Sequence, residues 1–162
     1  MRNSNTVPAL NADAFWQFSL TLYPQVKAIC LNWQDELGAN VNLLLLLCYL
    51  EQRQLSLNPA QIAQLSAKLQ QFSTQFTQPL RTLRRQHCDT LSTEQQQQLK
   101  QTLLAAELAL EQLEQQLLLQ HCEVPAPRYA PLLEAYLAQL TSDNAAYNGQ
   151  IIDLRQAIAS LS

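Results

Sequence analysis

Three arginines, Arg81, Arg84 and Arg85, form the densest basic group in this 162-residue chain. Their spacing puts Arg81 on one helical face with Arg84 or Arg85. Guanidinium groups fork onto carboxylates and phosphates through parallel hydrogen bonds, so such a face suits an anionic partner. A helix start lies close by in sequence, around Thr93 to Gln98, and its free N–H groups also favour negative charge. Arg81, Arg84 and Arg85 are therefore a candidate partner- or anion-binding surface. The competing account is a solvated face whose arginine stems pack on leucine.

A second candidate surrounds Gly38. Gln34, Asp35, Asn40 and Asn42 bracket this glycine beside Trp33 and a leucine run. A ligand pocket among the first three helices would take Trp16, Trp33, Asp35 and Asn42 as its walls. The plainer reading is that Asn40 and Asn42 cap a helix, while Gln34 and Asp35 satisfy backbone groups of the turn.

The triplet Gln-His-Cys occurs at 86–88 and again at 120–122. Two His and two Cys suggest zinc, but His87 and His121 are separated by a helix of about 40 Å at 1.5 Å rise per residue. Four ligands must converge within roughly 2.3 Å of one ion, so no metal and no cofactor is expected. Glu107, Glu111 and Glu114 step by 4 and 3 along one helix face. Paired carboxylates can do acid–base work, but a charged stripe facing solvent is the expectation. GxSxG, HExxH and P-loop motifs are all missing from the sequence.

The elements that carry these residues are helical throughout. Only two glycines occur, and glutamine, leucine and alanine dominate; all three favour helix. Asn11 or Asp13 caps a first helix, which Pro24 is expected to end while starting a second. Gly38 suits a left-handed C-terminal cap. Asn40 then caps a helix carrying Leu43 to Leu47, Cys48, Tyr49 and Leu50. Eight consecutive apolar residues leave no polar face for two turns, so this helix is placed at the centre of the bundle, with Asn40 and Glu51 reaching water.

Asn58 and Pro59 start the next helix, and Pro79 predicts a kink or break near 75–79. Ser92 or Thr93 caps a long helix in which Leu99, Leu103, Ala106, Leu110, Leu113 and Leu117 form a heptad seam. That helix and the preceding one are expected to pack as an antiparallel hairpin. The fold class is thus all-α: a bundle over residues 1–121, a proline-containing linker over 122–131, and a helical tail over 132–162. The tail docks on the bundle or on a second copy.

The segments FWQFSLTLYP, CLNWQDELGANVNLLLLL, QPLRTLRR and AAEL together resemble a small bacterial family of unknown function over about residues 14–120. That family has no established activity, so the resemblance implies no catalytic residues. The family has an aspartate where this chain has Asn40, which keeps a cap but removes a carboxylate.

A net charge of −3 and a pI near 5.3 argue against general nucleic-acid binding. The N-terminal stretch lacks the apolar run of a signal peptide, and the leucine run is shorter than the ~20 residues that span a bilayer. A cytoplasmic protein with four free thiols is expected. The functional expectation is a non-enzymatic interaction or adaptor module with an unidentified protein partner, a second copy being one candidate. The alternative is a small-ligand binder or enzyme using the pocket near Gly38.

Overall fold

The computed structural model describes residues 10–123 and 125–161. Among them the protein is an all-α helical bundle without strands. The α-helices are α1 (Ala12–Leu37), α2 (Val41–Gln52), α3 (Pro59–Phe72), α4 (Gln78–Arg84), α5 (Thr93–His121), α6 (Leu132–Leu140) and α7 (Asn148–Ala159). A π-helical turn, Ser73–Thr77, runs α3 into α4, giving six helical rods. The expectation of no signal peptide falls partly on residues 1–9, outside the described residues.

Local chemistry sets most boundaries. The Asn11 side chain accepts from Ala14 N at 2.9 Å, and Asn40 accepts from Leu43 N at 3.1 Å. Asn58 with Gln61 and Ser92 with Gln95 form reciprocal capping boxes. Gly38 takes φ 70°, a left-handed conformation that disfavours side chains, and so stops α1.

Pro24 does not end a helix: α1 continues through it. Phe15, Phe18, Leu22, Val26, Cys30 and Trp33 form one buried stripe along the whole rod. Proline deprives only the Leu20 carbonyl of its donor, and both residues are exposed, so water can replace the lost bond. Burial of a continuous stripe outweighs one missing hydrogen bond. Near Pro79 the α-helix is interrupted but not ended: the π turn at Ser73–Thr77 overlaps the region where a kink or break was expected.

In α2 every residue from Leu43 to Leu50 is buried. Helix α2 packs against α1, α3, α5, α6 and α7. Each buried leucine contributes about 1.5–3 kcal/mol. Glu51, expected to reach water, is buried instead. Arg155 of α7 meets it at 2.9 Å and also bonds Glu134 of α6, while Leu133 N donates to Glu51 Oε2 at 3.1 Å. This clamp joins α2, α6 and α7. Ser56 and Ala126 exchange two backbone bonds of 2.9 Å, tying the proline-containing connection to the loop after α2.

Helix α5 departs most from expectation. The heptad seam is not its buried face: Leu99 is 40% and Leu113 47% exposed. Gln96, Glu107, Glu114, Gln115 and Leu118 are the residues turned inward. That direction lies roughly a quarter turn from the leucine seam at ~100° per residue. The glutamate stripe therefore does not face solvent. Glu107 and Glu114 are buried, and Glu111 is half-buried.

Candidate functional site: a polar cavity between α1, α2, α4 and α5

The inward polar face of α5 forms one wall of a cavity of about 490 Å³. Ligand sites commonly fall between about 300 and 1,000 Å³. Helix α1 contributes Trp16, Ser19, Leu20 and Tyr23 to it, and the start of α2 contributes Asn42 and Leu45. Arg81, Arg84 and Arg85 enter from α4.

The arginines have no acid on their own helix to pair with. Their counter-charge comes from α5: Arg81 Nε donates to Glu107 Oε2 at 2.9 Å, and Arg84 Nε donates to Glu107 Oε1. Burial alone would raise the Glu107 carboxyl, but hydrogen bonds from Arg84 and Arg81 outweigh it and hold it below the usual carboxylate range. The same pairing raises Arg84. Glu111 has no such partner among the described residues. Burial and the neighbouring Glu107 push its carboxyl up to about 7, against weaker opposition from Arg81.

A buried hydrogen-bond chain crosses the inner end of the cavity. Ser19 Oγ donates to Phe15 O at 2.9 Å and accepts from Gln115 Nε2 at 2.9 Å. Gln115 Nε2 also donates to Asn42 Oδ1 at 3.1 Å, and Asn42 Nδ2 donates to Glu114 Oε1 at 2.8 Å. Asn42, which sequence assigned either to capping or to a pocket wall, links α2 to α5. Glu114 Oε2 and Gln115 Oε1 are buried with no partner among the described residues.

The two candidate sites read from sequence meet in this one cavity. Arg81, Arg84, Arg85, Trp16 and Asn42 all line it. Trp33 and Asp35 do not. Trp33 is buried in the core, its Nε1 donating to Gln150 Oε1 at 2.7 Å, and Asp35 is exposed. The arginine face differs from the free surface expected, because Arg81 and Arg84 spend their Nε donors on Glu107. Sequence reasoning missed Glu107, Glu111, Glu114 and Gln115 as cavity residues. The available signal was α4 itself: Arg81 and Arg84 have no acid three or four residues away, so any carboxylate that pairs with them comes from another helix.

The remaining polar candidates stay apart. His87 lies 3.4 Å from Asp89 in the α4–α5 connection, and His121 ends α5. Among the described residues no group of three or more His, Cys, Asp or Glu is placed to hold a metal ion. No helix among them is long and apolar enough to cross a membrane. Cys30 and Cys48 are buried free thiols, raised by desolvation.

Fold and site together define an all-α helical protein with a mixed polar and apolar cavity. A family described as Protein of unknown function (DUF2390) matches residues 14–118, well over half of the chain, and the chain belongs to that family. No curated protein and no solved structure matches it.

Proposed function

We propose that the protein is a non-enzymatic interaction module whose recognition element is the cavity between α1, α2, α4 and α5. In this reading α2 is the central apolar helix, and α3–α4 with α5 form an antiparallel hairpin carrying one wall of the site. Residues 1–121 act as the bundle, 122–131 as the connection, and 132–162 as a tail that completes the bundle. The observation that carries the reading is the make-up of the cavity. A polar interior, held by Arg81, Arg84 and Glu107, has the exposed leucines Leu20, Leu104 and Leu108 among its lining residues. Contacts that exclude water around an anchoring group are common in protein recognition, and a charged anchor adds direction to the attraction.

Arg85 remains the arginine best placed to meet an acidic group on the partner, since it makes no ion pair among the described residues. The test is affinity capture from the protein's own cells, comparing the parent with a Leu104→Ser/Leu108→Ser variant. The exposed leucines contribute little to folding, so the variant should retain its fold and lose the captured partner. Unchanged capture by a folded variant would refute the cavity as recognition element. Sedimentation of the purified protein separates self-association from a different partner.

One observation favours the enzymatic alternative. A carboxyl at about 7, as for Glu111, is poised for proton transfer near neutral pH.

A further inference from the structure

We propose that the group received by this cavity is a primary alkylammonium, held by Glu111, Glu114 and Gln115 of α5. The inference rests on the cavity being a recognition element and specifies the chemistry of what it recognises.

The hydrogen-bond chain dictates the polarity. A carboxylate oxygen only accepts, so Asn42 must present Nδ2 to Glu114 and Oδ1 to Gln115. Gln115 must then offer Nε2 to both Asn42 and Ser19, and Ser19 passes its own proton to Phe15 O. With every amide orientation fixed, the two atoms of this hydrogen-bond chain without a partner among the described residues are Glu114 Oε2 and Gln115 Oε1. Both are acceptors. Their residues are each only 2% exposed, so little solvent reaches them. Leaving a buried acceptor unmet is costly, and the complementary group is a donor.

Glu111 adds a third acceptor. Residues three and four apart share a helix face, so Glu111 neighbours both Glu114 and Gln115, and all three line the cavity. An ammonium has three donors. The surroundings suit its stem: Leu45, Leu104 and Leu108 give the cavity apolar wall, and Trp16 and Tyr23 add aromatic faces that attract cations. Competition from the arginines is limited, because Arg81 and Arg84 already share Glu107. Lys27 and Arg85, exposed on the lining, can meet an acidic group beside the ammonium.

Such an ammonium belongs either to a lysine side chain of a protein or to a free amine. NMR titration of the full chain distinguishes them, using 1,5-diaminopentane, Nα-acetyl-lysine methylamide and, as the anionic counterpart, glutarate. The Gln115 side-chain amide should shift saturably with an amine and not with glutarate. Binding of the blocked lysine as tightly as the diamine assigns a protein lysine; binding of the diamine alone assigns a small amine. Glu114→Gln keeps an acceptor for Asn42 and turns the unmet oxygen into a donor, so amine affinity should fall at least tenfold. Glu111→Gln, at a half-buried position, provides the same test if the Glu114 variant does not fold. Binding of glutarate instead of amines, or amine affinity unchanged in the folded variants, overturns the proposal. Separation from the broader reading is direct. If amines fail while the Leu104→Ser/Leu108→Ser variant still loses its partner, only the ammonium assignment is wrong; the converse pattern removes the interaction reading.

Discussion

Glu107 is a single carboxylate shared by two guanidinium groups, and its neighbour Glu111 has none among the described residues. The difference gives the two residues opposite effects on stability. Glu107→Ala leaves Arg81 and Arg84 without a counter-charge on α5. Breaking a buried pair costs about 3–5 kcal/mol, and partial exposure of both arginines brings the expected loss to roughly 2–3 kcal/mol. Urea unfolding measures it, and an Arg81→Met/Arg84→Met/Glu107→Leu variant should recover much of the loss. For Glu111 the folded carboxyl titrates near 7 and the unfolded one near 4.3. The native state therefore holds the proton more tightly between these values, and stability falls as pH rises through that window. Glu111→Gln should stabilise by roughly 1–2 kcal/mol at pH 8, after allowance for solvent screening, and by nearly nothing at pH 4. A gain of the same size at both pH values would rule out Glu111 as the source.

At the scale of elements, caps were readable and the buried face of the longest helix, α5, was not. Asn40, Asn58, Ser92 and Gly38 act through bonds or backbone angles within four residues, and the sequence contains all the partners. The leucine run was equally readable, because eight apolar residues in succession leave no choice of face. Leu46→Ala or Leu47→Ala should cost about 2–5 kcal/mol, since neither is accessible to solvent and a cavity would remain. Helix α5 offered a choice. Leucines at 99, 103, 110, 113 and 117 marked one face, and others at 104, 108 and 118 marked different ones. What settled the rotation was the need of Arg81 and Arg84 for carboxylates and of Asn42 for Glu114, neither of which shows in hydrophobic periodicity. The arginines and the Trp16 and Asn42 pair thus line one cavity, although about forty residues of sequence divide Asn42 from Arg81. Replacing Leu99 and Leu113 together by Gln should change stability by less than about 1 kcal/mol, because exposed positions carry little burial energy. A loss of several kcal/mol in thermal unfolding would mean the seam is covered in solution.

Across the whole molecule, the last two helices are fastened to the first half by Arg155. Its guanidinium reaches Glu51 of α2 and Glu134 of α6 together, and it is the only cation paired with the buried Glu51 among the described residues. Arg155→Met should destabilise by about 3–5 kcal/mol, whereas Arg155→Met with Glu51→Leu should regain most of it. Equal stability of the single and double variants would show that the pair contributes little. The family match ends at residue 118, yet α6 and α7 pack on α2 beyond it. This has a consequence for biosynthesis. A helix apolar on every side leaves the ribosome about 100 residues before α7, which at ~5–20 residues per second is roughly 5–20 s. For that interval part of its leucine surface has no cover from its own chain. Yield in cells should therefore depend on holdase chaperones during translation, even where the finished protein refolds unaided in the test tube.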